Sequence, residues 1–251
     1  MTVDPVAFNI GPAQVRWYGI LMAVAVLIGT SLARKEAMRK GIDPEKILNM
    51  VIIIAPLSWL GARIYYVAFN WPVYRNDPAE IFKIWHGGLA IHGGLITAVI
   101  LGYFYTRRNH LNFWEVGDLI APSFILGQAI GRWGNFFNQE AYGYATNLPW
   151  AMYIGGAYRH PTFLYESLWD FGVFLFLMWY RRKNKTIAGN VLLTYLFLYS
   201  VGRFIVEGFR TDSLMLGPLR AAQVASLLIM IVSSLIFIFR NLGLGNKFYK
   251  K

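Results

Sequence analysis

One ten-residue segment, GRWGNFFNQE at 131–140, places an arginine, two asparagines, a glutamine and a glutamate between two long apolar stretches. Arg132 offers a planar fork of donors that matches a phosphate. Gly131 and Gly134 let backbone and ligand approach closely, and Asn135, Asn138 and Glu140 can bond hydroxyl groups or hold the arginine in place. Alone, the segment is equally an ordinary polar turn. A second constellation lies in YSVGRFIVEGFRTD, where Tyr199, Arg203 and Glu207 are four apart and Arg210 is seven from Arg203. If the helix continues, all four share a face. Arg before Glu is the poorer orientation of an i,i+4 pair, so local helix support is a weak explanation and an anion site with an orienting carboxylate suits the pattern better.

Further polar groups sit where a membrane should not tolerate them. Arg63 falls inside an apolar run, in GARIYYV. Placing Arg near hydrocarbon costs at least about 2.5 to 3.5 kcal/mol at the centre of a span, so it needs a partner, water or a purpose. Snorkelling, a structural ion pair and substrate binding all remain open for it. RHPTFLYESLWD supplies His160, Tyr165, Glu166 and Asp170, the two acids one helical turn apart. HGGLAIHGG supplies His86 and His92, with glycine pairs that also suit helix packing. No HExxH or similar spacing occurs, so no metal site is expected, and no soluble cofactor is implied. There is no cysteine, which removes disulfides and thiolate catalysis, so any thiol in the chemistry belongs to a substrate.

The elements that must position these residues are written in the composition. The chain has 251 residues, 56% of them apolar and only 15% charged, with positive mean hydropathy. Seven weakly charged apolar segments recur, at about 17–33, 47–69, 87–106, 113–130, 162–180, 188–206 and 221–239. At about 1.5 Å rise per residue each can cross a hydrocarbon core of about 30 Å, and lipid leaves helices as the default because it cannot satisfy free backbone groups. The expectation is an all-α, polytopic membrane bundle of about seven transmembrane helices. The first segment follows MTVDPVAFNIGPAQ, which carries Asp4 and no basic n-region, so it is read as a retained span and not a signal peptide.

The net charge of +11 raises nucleic acid as a partner, and its placement answers that. Arg34, Lys35, Arg39, Lys40 and Lys46 follow the first segment, Arg107 and Arg108 the third, Arg181, Arg182, Lys183 and Lys185 the fifth, and Arg240, Lys247, Lys250 and Lys251 the seventh. That is 15 of the 24 Lys and Arg on one side, which the positive-inside rule makes cytoplasmic. The N-terminus is therefore expected outside and the C-terminus inside. These short anchors lack aromatic interleaving, so no nucleic acid is expected. The longer connections, near 70–86 and 131–161, fall on the outer face, the latter as a small periplasmic head, and no repeat or linker divides what reads as one domain. Arg132 and Arg203 then both approach the outer leaflet, where two guanidiniums are what a phospholipid headgroup needs.

With those residues in view, the chain resembles the bacterial prolipoprotein diacylglyceryl transferase family. The resemblance runs nearly end to end, through RWYG at 16–19, GARIYY at 61–66, HGGL at His92, GRWGNFFNQE, RHPTFLYE at 159–166 and YSVGRFIVEGFRTD. GRxGNFxNxE is the family's signature and is specific; the other segments are weaker singly but keep the expected order. The resemblance implies an inner-membrane enzyme of lipoprotein biosynthesis. It would move a diacylglyceryl group from phosphatidylglycerol to the lipobox cysteine of a prolipoprotein signal peptide, releasing glycerol phosphate. It carries family positions onto Tyr18, His92, Arg132, Asn135, Glu140, Tyr199, Arg203 and Glu207. Where some relatives hold an acid before the first glycine pair, this chain has His86, and no role is carried onto it. The chemistry fits His92, Arg132 and Arg203 as catalytic, with Tyr18, Arg63, Asn135, Asn138, Glu140, Tyr199, Glu207 and Arg210 binding substrate. His92 is the most plausible base for the thiol, with Glu140 and Glu207 as alternatives or as groups that orient the arginines. The rival reading is a transporter of an anionic solute, which would call for inverted repeats and a polar path to the cytoplasmic side. A seven-span receptor is a second rival, for which the cytoplasmic loops are very short.

Overall fold

All seven apolar segments fold as helices of at least 18 residues: α1 (Trp17–Arg39), α2 (Pro44–Phe69), α4 (Ile91–Arg108), α5 (Phe113–Asn138), α6 (Thr162–Tyr180), α7 (Asn190–Glu207) and α8 (Ala221–Asn241). A single helical turn, α3 (Trp71–Tyr74), and a 3-10 turn (Pro78–Phe82) connect α2 to α4. The structure is a computed structural model and describes residues 3–11, 13–83, 87–183 and 187–242; His86, Lys185, Lys247, Lys250 and Lys251 lie outside these residues. Among the described residues, four helices, α1, α2, α7 and α8, meet length and apolarity criteria for crossing a membrane. Large apolar side chains such as Leu27, Ile64, Phe104 and Leu228 stand exposed on helix faces, as lipid-facing residues do.

The expected all-α class is corrected in one respect. The chain is mostly helical, but three two-stranded antiparallel hairpins accompany the helices: β1 (Val6–Ile10) with β2 (Ala13–Arg16), β3 (Met152–Ile154) with β4 (Ala157–Arg159), and β5 (Met215–Leu216) with β6 (Leu219–Arg220). Strands of two to five residues are too short to leave a readable alternation in the sequence.

Three helix ends also depart from the apolar boundaries, each for a local reason. α1 continues through ARKEAMR, a run of good helix formers, and stops at the turn before Gly41, whose φ is 70°. α4 begins only at Ile91, because Gly87 and Gly88 take φ of 85° and 77°. α5 does not stop at residue 130 but runs to Asn138, so the signature segment is largely helix and not a loop.

The chain divides into two compact units, Ala33–Val116 and Met1–Leu32 with Gly117–Lys251. In the first, α2 packs on α4. A Cβ at Gly93 would lie 2.3 Å from the Tyr65 Cβ and 2.6 Å from the Gly61 carbonyl, so this glycine of the HGG pair is a helix-contact surface. In the second, Ala121 and Ile125 of α5, Val173 and Leu177 of α6, and Val191 and Tyr195 of α7 form a buried core. Its polar groups are matched across helices. The Asp118 carboxylate accepts from the backbone N–H groups of Gly189 (2.7 Å) and Leu192 (2.8 Å), capping α7 from α5, and the Tyr195 hydroxyl donates to Gln128 (3.0 Å).

Candidate active site

The ends of α5, α6 and α7 bring one ionic network together. Ser167 on α6 donates its hydroxyl proton to the Ala129 carbonyl of α5 (2.8 Å) and accepts from the Trp133 indole (3.2 Å), which pins the two helices on either side of the network. Arg132 and Glu166 are the neighbours of those anchors in sequence. Arg132 Nε lies 2.5 Å from Glu166 Oε2, and the other oxygen of the same carboxylate accepts from Arg203 Nη1 of α7. Arg203 Nη2 reaches Glu207 at 2.7 Å, one turn further along α7. Glu207 also lies 3.9 Å from Arg210 Nε and accepts from the Ser213 hydroxyl at 2.6 Å. Arg210 ends the series in a two-point pair with Asp212, at 3.0 and 2.8 Å.

Six charges therefore alternate in sign: Arg132, Glu166, Arg203, Glu207, Arg210, Asp212. The first five side chains are at most 19% exposed, whereas Asp212 is 50% exposed, so the series runs from the protein interior to solvent. In such surroundings each charge depends on its neighbour, because a buried charge without a partner is strongly unfavourable. At the outer end, the hydrogen bond from Arg210 holds the Asp212 carboxyl below its ordinary range. One turn below Glu166, Asp170 is 2% exposed, and one of its oxygens has no hydrogen-bond partner among the described residues.

Arg210 does not share the α7 face expected of it. The helix ends at Glu207, and Arg210 sits in an isolated bridge opposite Gly143, reaching Glu207 from the following loop. That loop is held from the side of the α5–α6 connection, where Tyr144 N donates to the Phe209 carbonyl at 3.0 Å; within the connection itself, Gly143 N donates to the His160 carbonyl, also at 3.0 Å. Arg220 adds a clamp from the start of α8, donating to the Glu207 carbonyl and, at 2.6 Å, to the Tyr144 hydroxyl.

Beside Arg132, the end of α5 forms a second polar group. Asn135 and Asn138 both donate to Glu140 Oε1, at 2.9 and 3.2 Å, and Gln139 and Ala141 on either side take φ of 54° and 56°. Non-glycine residues there are costly and need local bonds to hold them. Glu140 thus organises the asparagines, and the carboxylate that braces Arg132 is Glu166. Tyr18 packs against the same stretch: a Cβ at Gly134 would come within 2.0 Å of its ring, so only glycine admits the tyrosine two residues from Arg132. Tyr199 stands one turn before Arg203, its ring 6.0 Å from that of Tyr195, within electrostatic reach of both Arg132 and Arg203.

A sequence model of the family described as prolipoprotein diacylglyceryl transferase matches residues 5–239. The chain belongs to this family. Among similar proteins, a phosphatidylglycerol–prolipoprotein diacylglyceryl transferase of Clostridioides difficile (strain 630) is 54% identical over 226 residues, covering 90% of this chain and 91% of that protein. Proteins with the same name from Bacillus mycoides (strain KBAB4) and Bacillus cereus (strain ATCC 14579) are each 48% identical over 260 residues, covering 98% of this chain and 96% of theirs.

In this transferase-family chain, two of the residues expected at the site, Arg63 and His92, belong to the unit 33–116 and are described within it. Arg63 is 4% exposed and donates to four backbone carbonyls: Nε to Ile81 (2.9 Å), Nη1 to Gly87 (2.6 Å) and Gly88 (2.9 Å), and Nη2 to Glu80 (2.6 Å). With its guanidinium also over the Tyr74 ring, it is a staple for the α2–α4 connection. His92 belongs to the unit 33–116, exposed near the start of α4, its ring 6.4 Å from that of Tyr65. Glu166 was singled out in the sequence as a polar group of its segment but was given no role at the site. Its signal was present: an acid in an apolar segment, in the same RHPTFLYE motif that carried the resemblance.

Proposed function

We propose that this chain transfers the diacylglyceryl group of phosphatidylglycerol to the lipobox cysteine thiol of prolipoprotein signal peptides, the first step of lipoprotein maturation. The thiol loses its proton, and a sulfur electron pair forms the new bond to the terminal glyceryl carbon. The bond from that carbon to the phosphate oxygen breaks, with its electrons staying on oxygen. The products are a thioether and glycerol phosphate, with no cofactor needed.

One observation carries the reading: guanidiniums from α5 and α7, 71 positions apart in sequence, meet on a single carboxylate of α6. Charge develops on the departing phosphate, and fixed donors in a dry site stabilise it strongly, each worth about 2.7 to 4 kcal/mol. Arg132 and Arg203 hold the phosphate in this proposal. Tyr18, Asn135 and Tyr199 position the headgroup, while Asn138, Glu140, Glu207 and Arg210 shape its surroundings. His92 takes the thiol proton, for which a neutral imidazole near pH 7 is suited.

The same reading makes all seven long helices spans of the bacterial plasma membrane, with the N-terminus outside and the C-terminus in the cytoplasm. Residues 1–251 act as one catalytic domain, with the stretch near 131–161 on the outer face, and bilayer lipid surrounds the exposed apolar helix faces. The test is transfer of labelled lipid from phosphatidylglycerol to a lipobox peptide by the purified protein. Loss of transfer in Arg132→Ala and Arg203→Ala supports the phosphate clamp, and wild-type rates in both reject it. Full activity of His92→Gln from pH 6 to 9 would remove His92 as the base and leave the enzyme class standing.

A further inference from the structure

Between α7 and α8 the chain folds into the β5–β6 hairpin, and residues 213–219 of that connection read SLMLGPL, without a charge. Leu216 and Leu219 face each other across the ladder, and Leu214 lies two residues before Leu216, so the three leucines share one face. The other face carries Arg220, opposite Met215 in register, and Arg220 donates to the Glu207 carbonyl and the Tyr144 hydroxyl. The hairpin is therefore two-sided. One face is tied to the ionic network, while on the other Leu214 is 74% exposed and Leu216 53%. Met215, 55% exposed, carries the apolar surface around the tip. An uncharged, exposed patch of this kind on a short, well-tied element marks a contact surface.

We propose that the leucine face seats in the outer leaflet, at the boundary of headgroups and acyl chains, and that this seat holds the outer end of the ionic network at the depth of a lipid phosphate. This rests on the function and membrane orientation proposed above. Lipid is named as the occupant by how the hairpin is attached. β6 runs into α8 with no residue between them, and α7 and α8 both have the length and apolarity to cross a membrane, so residues 208–220 keep the tip close to two spans. The leucine face continues an apolar surface, because Leu228, Ile231, Val232 and Leu235 stand exposed along α8. The flanking charges are engaged by the protein: Asp212 by Arg210, and Arg220 by Tyr144 and the Glu207 carbonyl. Depth is limited by the backbone, since a two-stranded hairpin keeps unpaired edge groups that hydrocarbon cannot satisfy. Only the side chains of the tip enter, to about 5–10 Å, as an interfacial amphipathic element does. The seat reaches the site through one carboxylate: the Ser213 hydroxyl donates to Glu207 at 2.6 Å, and Glu207 pairs with Arg203 at 2.7 Å. Leu214 and Leu216 are thus positioning residues, acting on Arg203 through the hairpin that they anchor.

The chain has no cysteine, so a spin label on Leu216→Cys marks a single position with no other change. The labelled protein is placed in phosphatidylglycerol-containing vesicles without peptide, and collision with oxygen is compared with collision with a water-soluble nickel chelate. Oxygen is expected to dominate, by a smaller margin than at Leu228→Cys, which lies about 10 Å further along α8. Leu214→Cys repeats the reading at a second point. Nickel-dominated collision at both positions overturns the seat. So does a label shielded only after a lipobox peptide is added, which gives the face to the signal peptide, or spin–spin broadening, which gives it to a second copy. Activity supplies the other reading. The double variant Leu214→Asn, Leu216→Asn should raise the KM for phosphatidylglycerol in vesicles severalfold, whereas Leu214→Met, Leu216→Met stays near wild type. Unfolding temperatures in detergent should match across all three proteins, because these exposed side chains make few contacts with the protein. Equal KM in the Asn and Met pairs overturns the link to the network. Wild-type protein that transfers no lipid overturns the function itself while the label still reads the seat, so the two failures are distinguishable.

Discussion

Replacing Arg203 by lysine keeps the positive charge and removes the fork. The two terminal nitrogens of Arg203 serve two carboxylates, Glu166 and Glu207, whose side chains are 6% and 4% exposed. A single ammonium on a flexible stem cannot reproduce that planar two-way geometry, so one charge-assisted bond is lost, worth about 1.5 to 3 kcal/mol. At the departing phosphate, loss of one oriented donor is worth about 2.7 to 4 kcal/mol, or about a hundred- to a thousandfold in kcat. Arg203→Lys should therefore fold, with a modest fall in thermal stability, and lose about two orders of magnitude or more in kcat. Arg203→Ala should be the worse folder, because it leaves Glu166 and Glu207 without their shared partner, at a cost of about 3 to 5 kcal/mol. The assay is single-turnover transfer of labelled diacylglyceryl to a lipobox peptide, with thermal unfolding measured on the same preparations. A folded Arg203→Lys protein with wild-type kcat would show that charge alone suffices and would refute the argument from geometry.

Three further outcomes are expected. Gly134→Ala pushes a Cβ to 2.0 Å from the Tyr18 ring, so it should destabilise by about 1 to 3 kcal/mol; adding Tyr18→Ala should recover part of that loss in a double-mutant thermal unfolding cycle, and strict additivity would count against the contact. Arg63→Met leaves four carbonyl acceptors without their donor and should lower the unfolding temperature sharply, while the KM for phosphatidylglycerol in the surviving folded fraction stays near wild type; a selective rise in KM would show that Arg63 binds substrate as well. The hydrogen bond from Arg210 holds the Asp212 carboxyl below its ordinary 3.8, so this pair adds stability above that pH and loses it as pH falls through the lowered value; the stability gap between wild type and Asp212→Asn should be present at neutral pH and close in stronger acid, and a gap independent of pH would exclude the ion pair as its source.

The apolar segments fixed the number and approximate places of the long helices, because a long run without charge has few other ways to satisfy its backbone next to lipid. The specific motif GRWGNFFNQE was enough to suggest the family and to single out Arg132. Periodicity also placed Tyr199, Arg203 and Glu207 on one face, since four-residue spacing within one helix is a local property. It failed for Arg210 because the chain leaves the helix after Glu207, and for the end of α5 because a polar sequence can continue a helix as readily as end it.

Which charge faces which was beyond the sequence. Arg132 could have been paired with nearby Glu140 on proximity alone; it pairs with Glu166, 34 positions away, because Ser167 and Trp133 pin α6 against α5. Arg63 and Arg203 look alike as arginines in apolar segments, yet one is enclosed by backbone carbonyls and the other by carboxylates. Composition and spacing state that a buried charge must find a partner, because the desolvation penalty is a property of the residue. The partner itself is selected by helix packing, a property of the folded chain.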